Sequence, residues 1–340
     1  MKSAAIVIFR TDGNESIGLG HLYRCRALAE MLSSAFPCYL AFRHLPFDLR
    51  PELTQPYHAS LDLSDIRAAE ETDAILTWGR AQGVMAPNCT IIVVLDGYHF
   101  DTAYQAKWKE SRIPLVCIDD IHTHHFVADV VINHAGGVTP DDYSAEPGTK
   151  FCLGPRYALL QRPFRTRVPA QIAAQDDRIF ICLGGADPPN ATLSVLQKCV
   201  SVFPASSFEV VLGGAYLHEE ELVHYLDRTK ADIRLHRNLT AGAMADLMRE
   251  SHSGITSPST VSFEYLSVGG LLYLYPIADN QASIYTYYLR EGVAFSFTDS
   301  FPVLDPERVA ESIERQTRLF DGHSAERFLD LFHSLAEECA

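Results

Sequence analysis

Short apolar runs that do not alternate with polar residues punctuate the first half of the chain. They are Ala5–Phe9, Ile75–Thr77, Ile91–Leu95 and Leu115–Ile118. A parallel strand covered on both faces has this character, because neither side needs to meet water. Between the runs the spacing changes. Leu22, Cys25, Leu28, Ala29 and Leu32 recur at three and four, which lays one apolar stripe along a helix over 22–32. Strands alternating with such helices predict βαβ units and a doubly wound parallel sheet.

From Leu159 to Asp177 the chain turns polar, carries Pro163 and Pro169, and loses periodicity. It reads as an interdomain linker. The first pattern then restarts. Arg178–Leu183 reads as a strand, followed by Gly184-Gly185-Ala186-Asp187-Pro188-Pro189-Asn190 and a helix to about Val202. In that turn Asp187 is the expected helix cap, with proline in the first helical turn. Further strands are expected at Glu209–Leu212, Gly254–Thr256 and Leu271–Tyr275, and one helical tail over 305–338. The fold class is therefore α/β, with two Rossmann-like domains. The length of 340 residues agrees, since single cores stop growing near ~250–300. The expected division is 1–165, 166–322, and a C-terminal helix over 323–340. In open α/β sheets ligands sit beyond the carboxyl ends of the strands. The loops after strands, and a cleft where two such ends would face each other, are where chemistry is expected.

Charge narrows the ligand. The formal net charge of −15 argues against nucleic acid and against an anionic membrane face. A small anion remains possible, because a helix N-terminus holds phosphate without net positive charge. No apolar run approaches the ~18 residues of a membrane span, and the apolar stretch at the N-terminus is too short for a secretory signal. The eight cysteines form no C-x-x-C pair and several lie in apolar runs, as buried reduced thiols do. A cytoplasmic location is expected.

The loop after the first strand carries the first candidate chemistry. It runs Arg10-Thr11-Asp12-Gly13-Asn14-Glu15-Ser16-Ile17-Gly18-Leu19-Gly20-His21 into a helix. Gly18 and Gly20 allow a ligand to approach the backbone. His21 falls at the start of the helix, where the dipole favours a neutral imidazole able to act as a base. The G-x-G-x-x-G dinucleotide fingerprint is not completed, since Tyr23 stands where its third glycine would be, so no nicotinamide cofactor is expected.

Arg10-x-Asp12 followed by Ile17-Gly18-Leu19-Gly20-His21-Leu22-x-Arg24-Cys25 resembles the N-terminal signature of a family of UDP-sugar hydrolases. These are the UDP-2,4-diacetamido-2,4,6-trideoxy-β-L-altropyranose hydrolases of pseudaminic acid biosynthesis, related in fold to MurG-like glycosyltransferases of the GT-B class. Further stations follow in order over roughly residues 6–285. They are Asp96-x-Tyr98, Ile118-Asp119-Asp120, Leu153-Gly154-Pro155-x-Tyr157, Gly184-Gly185-Ala186-Asp187 with Asn190, Ser259-Thr260 with Glu264, and Asp279-Asn280-Gln281.

The resemblance implies a GT-B-like pair of domains, with the His loop in the first, UDP bound by the second, and the 323–340 helix returning to the first. It implies that His21 is catalytic. Arg10, Asp12, Gly20, Arg24, Asp96, Tyr98, Asn190, Ser259, Thr260, Glu264, Asn280 and Gln281 would contact the UDP-sugar. Ser259 and Thr260 would hold phosphate at a helix start and Glu264 the ribose. Pro258 departs from the family, which often has glycine there. From spacing alone, Ser259-Thr260 is equally an ordinary helix cap and Asn280-Gln281 a polar turn. His122, His124 and His125 beside Asp119 and Asp120 match no metal-ligand spacing, so no metal is expected. The expected reaction is inverting attack of water on the anomeric carbon. Alternatives are an inverting glycosyltransferase, a hydrolysing 2-epimerase, and a non-catalytic sugar-nucleotide binder. The oligomeric state is not indicated.

Overall fold

The computed structural model describes residues 5–14, 19–46, 50–81, 89–165, 178–297 and 305–338. Every strand pairing in its two main sheets is parallel. The chain divides into two compact units, residues 1–162 with 323–340, and residues 163–322.

The first unit is built on β1 (Ala5–Thr11), β2 (Cys38–Phe42), β3 (Ala59–Asp62), β4 (Thr90–Asp96), β5 (Leu115–Ile118), β6 (Val130–Asn133) and β7 (Lys150–Leu153). Their order across the sheet is β3-β2-β1-β4-β5-β6-β7. The apolar runs explain this: with period two, each strand sends alternate side chains to opposite layers. Val7, Phe9, Ile92, Val94, Val116 and Ile118 enter one layer. Ile6, Ile8, Ile91, Val93, Leu95, Leu115 and Cys117 enter the other. The first layer is covered by α1 (Gly20–Leu32), through Leu22, Cys25, Leu28 and Leu32. On the other side of the sheet lie α2 (Glu71–Ala81) and α3 (Thr102–Glu110), with Ile75, Leu76 and Trp108 in the second layer.

The second unit repeats the plan with β8 (Arg178–Cys182), β9 (Ser207–Leu212), β10 (Asp232–Arg237), β11 (Ser253–Thr256), β12 (Leu271–Leu274) and β13 (Phe295–Ser296). Their order is β10-β9-β8-β11-β12-β13. Both sheets therefore follow the 3-2-1-4-5-6 order of a Rossmann sheet, with the reversal between the first and fourth strands. Helices α4 (Ala191–Val202), α5 (Glu219–Leu226), α6 (Ala241–Glu250), α7 (Thr260–Val268), α8 (Ala282–Arg290) and α9 (Pro306–Leu319) belong to this unit. The last helix, α10 (Ser324–Glu338), packs Phe328, Phe332 and Leu335 into the first layer of the first unit, beside α1.

Four local expectations are corrected. Ile75–Thr77 is not a strand but the middle of α2, where Thr72, Ile75, Leu76 and Gly79 form a buried helical stripe. A three-residue apolar run does not by itself separate the two periods. The tail is two helices, parted at Phe320–His323 where Gly322 takes φ of +80°. The expected linker begins with buried residues, Leu159, Leu160 and Phe164; its remainder, 166–177, lies outside the described residues. Pro188 and Pro189 precede α4 rather than forming its first turn. Among the described residues no helix is long and apolar enough to cross a membrane.

Candidate functional site

In each sheet the reversal of strand order leaves the first and fourth strands adjacent, with their following loops diverging at the carboxyl ends. In the first unit those strands are β1 and β4, in register from Ala5 opposite Thr90 to Thr11 opposite Asp96. β1 leads into α1, whose second residue is His21. β4 ends on Asp96, followed by Gly97-Tyr98-His99.

The pairing of β1 with β4 brings Asp96 against α1. Asp96 is fully buried and His21 is 4% exposed. The Nδ1 of His21 lies 2.7 Å from Oδ1 of Asp96. Arg24, one turn along α1, donates from Nε to Oδ2 and from Nη2 to Oδ1 of Asp96, both at 2.6 Å, and from Nη1 to Asp120 at 2.6 Å. Burial alone would raise Asp96, but the charge and hydrogen bonds of Arg24, with His21, hold it below the usual carboxylate range. Asp96 is thus an anion with a fixed direction. In the tautomer whose Nδ1–H donates to Asp96, Nε2 carries the ring's lone pair; Nη2 of Arg24 also lies 3.0 Å from Nδ1. The Tyr98 ring stands edge-on to the imidazole, centroids 4.6 Å apart, and is half exposed. Burial and the neighbouring Asp120 push its hydroxyl up to about 12.

Four of the residues expected at the substrate are bonded within this unit. Asp96 and Arg24 are buried and bonded to each other beside His21. Arg10 is 1% exposed and pairs with Asp12 at 2.8 Å and with Glu71 at 2.6 Å. Asp12 accepts from the backbone N–H of Arg43 at 2.6 Å and of His44 at 2.9 Å. Burial would raise Glu71, but hydrogen bonds from Arg10, Arg43 and Tyr104 bring it down to about 2. Arg10 and Asp12 therefore tie the end of β1 to the segment after β2 and to the start of α2. Nothing stands within 4 Å of a side chain built at Gly20, so the backbone there is open to approach. Gly18 lies outside the described residues.

Sequence reasoning passed over two neighbours of this cluster. His99 follows Tyr98 and places Nε2 3.5 Å from Asp12. Its only signal was its place in the loop after β4. Asp120, in the Ile118-Asp119-Asp120 motif, has as its partner Arg24, 96 positions earlier. The three histidines nearby have separate duties. His122 meets Asn133, His124 the carbonyl of Tyr98, and His125 the hydroxyl of Ser144. Asp119 accepts from the N–H groups of Ile121 and His122, forming the turn. Among the described residues no three His, Cys, Asp or Glu stand together as metal ligands.

In the second unit the corresponding strands are β8 and β11. The loop after β8 carries Gly184 at φ of +101°, and a side chain there would come 3.5 Å from Ser257 Oγ. Gly185 lies under Gly213 so closely that a Cβ on Gly213 would meet its carbonyl oxygen at 2.1 Å. β11 leads through Ser257-Pro258-Ser259 into α7. Ser259 occupies the N-cap without a side-chain cap bond; its hydroxyl lies 2.9 Å from that of Ser257. The first-turn N–H groups thus have no side-chain acceptor, the condition in which a helix start accepts an anion. Thr260 is exposed at the first helical position. Glu264, one turn further, makes no side-chain hydrogen bond or ion pair among the described residues, and burial pushes it up to about 8. Its charge is felt by Cys182 at the end of β8, so the carboxyl stands beside the β8 loop.

Two further expected contacts, Asn190 and Gln281, make hydrogen bonds within the second unit. Asn190 accepts from the Tyr216 hydroxyl at 2.6 Å and donates to Glu221 at 2.8 Å. Asp187 caps α4 through both oxygens, accepting from Ala191 at 2.9 Å and Thr192 at 2.7 Å. Gln281 Oε1 accepts from the N–H of Ile277 at 2.8 Å, closing the turn on which Asn280 is exposed.

No family model matches the chain. It is 26% identical over 269 residues to an uncharacterized protein of Methanocaldococcus jannaschii, covering 76% of this chain and about half, 53%, of that relative. It is 25% identical over 303 residues to the UDP-2,4-diacetamido-2,4,6-trideoxy-β-L-altropyranose hydrolase of Campylobacter jejuni, covering 84% of this chain and 97% of that protein. Among solved structures it superposes on Acinetobacter baumannii MurG with a TM-score of 0.60 at 14% identity, covering 98% of this chain and 99% of that one. It superposes on Phytolacca americana UGT2, complexed with UDP-2fluoro-glucose and pterostilbene, with a TM-score of 0.65 at 13% identity, covering 98% and 100%. With its two parallel Rossmann-like sheets, the chain has the GT-B-like α/β fold.

Proposed function

We propose that the protein is a nucleotide-sugar hydrolase that releases UDP from a UDP-linked diacetamido-trideoxy sugar, with water attacking the anomeric carbon. The observation that carries this reading is the contact between His21 Nδ1 and Asp96, which makes Nε2 the candidate base at the start of α1. The similarity to the Campylobacter hydrolase along nearly all of its length supports the substrate class.

In this reading Nε2 of His21 takes a proton from water as its oxygen bonds to the anomeric carbon. The bond from that carbon to the phosphate oxygen breaks and UDP leaves with the electron pair, inverting the configuration. A diphosphate leaves as a stabilised anion, so no general acid is needed. The uncapped start of α7, with Ser259 and Thr260, receives the diphosphate, and Glu264 the ribose hydroxyls. Tyr98 lines the sugar beside His21. Asn280 is a further candidate contact.

A second reading, an inverting glycosyltransferase, is favoured by the fold shared with UGT2. One experiment separates them. The protein is incubated with the sugar nucleotide alone and UDP is measured. Release at a rate that His21→Ala abolishes supports the hydrolase. Release only after an acceptor sugar or lipid is added would make the protein a transferase. A parallel panel with UDP-GlcNAc, its product identified by NMR, tests the 2-epimerase.

A further inference from the structure

The side chains around His21 close into a ring. His21 bonds to Asp96, Asp96 to Arg24, and Arg24 to Asp120, while the Asp120 carboxylate bears on the Tyr98 hydroxyl. The Tyr98 ring returns edge-on to His21. Four segments contribute: α1, the end of β4, and the loops after β4 and β5. The ring has an electrostatic difficulty at its centre. Nη2 of Arg24 lies only 3.0 Å from Nδ1 of His21. A base at His21 becomes a cation when it takes its proton, and it would do so against a guanidinium. Asp96 alone pairs with Arg24 to give a neutral couple with little charge left for an imidazolium.

We propose that Asp120 is a positioning residue whose negative charge neutralises Arg24, leaving the charge of Asp96 to stabilise the protonated His21. This rests on the reading of His21 as the base. The sum of charges makes the point. With Asp120 ionised, Arg24, Asp96 and Asp120 total −1 and the ring reaches neutrality when His21 protonates. Without that charge the same three groups total zero, and protonation leaves the ring at +1 in a largely buried setting, where like charges are poorly screened. Asp120 suits the role because its side chain is one-third exposed and meets Arg24 from the side away from Asp96, whereas Asp96 is fully buried and needs Arg24 to stay charged. Arg24 thus has two functions: it fixes the direction of Asp96, and it links His21 to a carboxylate that His21 does not touch.

The other charged and titratable groups facing this ring include Cys25 on α1, which donates its thiol to Asp96, Asp119 and Tyr143, which both feel the Asp120 carboxylate, His99 beside Tyr98, and His134 after β6. Burial pushes His134 down to about 4, so it remains neutral and leaves the charge balance unchanged through the neutral range. His99 titrates nearby and has to be followed in the same experiment.

The test is an NMR pH titration of the His21 ring in the full chain without substrate. The resonances are assigned by their loss in His21→Gln, and those of His99 by their loss in His99→Gln. In Asp120→Asn the His21 midpoint should fall by about one unit, the size of shift a lost neighbouring charge produces. The acidic limb of kcat/KM should move down with it, and plateau kcat should fall about three- to tenfold with KM unchanged, because a weaker base drives proton transfer less well. Asp120→Glu keeps the charge and should restore the midpoint. Asp73→Asn, an exposed acid on α2, should leave it where it is. An unmoved His21 midpoint in folded Asp120→Asn overturns the proposal, as does an equal fall in Asp120→Glu. If His21→Ala retains turnover, the functional reading fails separately, and the titration still decides the charge balance.

Discussion

Nδ1 of His21 and Oδ1 of Asp96 stand 2.7 Å apart although 75 positions separate them in the chain. They meet because β1 and β4 are neighbours in the sheet, so the residue that ends β4 lies beneath the helix that follows β1. Burying a carboxylate is costly unless it is paired and hydrogen-bonded. Here Arg24 supplies the pairing with a two-pronged contact and His21 takes a further bond to Oδ1. The outcome is an imidazole with one nitrogen fixed and the other available.

His21→Ala should therefore lose at least about 10²-fold in kcat, the lower range for a positioned base, while UDP affinity stays within about twofold. Asp96→Asn should lose a comparable factor, because an amide can present either a donor or an acceptor to Nδ1 and no longer fixes the proton there. Steady-state UDP release and equilibrium UDP binding, measured on both variants, check this. Weakened UDP binding with unchanged kcat would place His21 at the nucleotide rather than at the water.

Glu264 has a pH signature of its own. Its folded value of about 8 lies above the ordinary 4.5, so the folded chain binds more protons than the unfolded chain between those limits. The favourable contribution is complete below about 4.5 and is lost as pH rises through about 8. Glu264→Gln removes that slope. The Tm of this variant minus that of wild type should grow from pH 5 to pH 8, while UDP affinity falls about tenfold. Parallel Tm curves would show that the carboxyl is already ionised in the free protein.

His134 has the opposite sign. Burial lowers its folded value to about 4 from the usual 6.5, so the unfolded chain takes up the proton first. Stability is fully present above about pH 6.5 and is lost as pH falls towards 4. The full loss is about 3 kcal/mol, from about 2.5 units at 1.36 kcal/mol for each. Urea unfolding at pH 7 and pH 5 should reveal a deficit that His134→Gln reduces. An unchanged deficit would assign the acid sensitivity to other groups.

Gly254 on β11 carries the ring of Tyr265 from α7, and a Cβ built there would lie 2.4 Å from the ring. Gly254→Ala should cost about 1–3 kcal/mol by overpacking, read from the midpoint of urea unfolding. Tyr265→Leu in the same chain should recover part of that loss. Because α7 carries Ser259 at its cap and Glu264, UDP affinity should fall in the single variant and return in the double one.

Much of this site is legible in the sequence, but as residue types rather than as partnerships. The glycine loop after an apolar run identified His21, and Ser259-Thr260 with Glu264 one turn on identified the helix of the second unit. Arg10, Asp12, Arg24 and Asp96 stood out equally well, yet they were read as substrate contacts. Their spacing says nothing of what is buried beside them. Asn190 and Gln281 are similar cases, polar residues in the right loops whose amides are already bonded to Tyr216, Glu221 and Ile277. Asp120 stood in the Ile118-Asp119-Asp120 station, but its partner Arg24 lies 96 residues away and spacing does not reveal it.

By itself the sequence determined the parallel sheets, because runs such as Ala5–Phe9 and Ile91–Leu95 are apolar on both faces and can be satisfied only between two covering layers. It also pointed to the loops after those strands as the place where polar and titratable residues gather. The strand order, and with it the adjacency of β1 to β4 and of β8 to β11, was decided by tertiary structure. That order is a matter of which non-local neighbours bury one another, and period-two hydrophobicity is the same whichever strand lies alongside. For this reason His21, Arg24 and Asp96 could be found by reading along the chain, whereas the buried partnership among them could be found only by folding it.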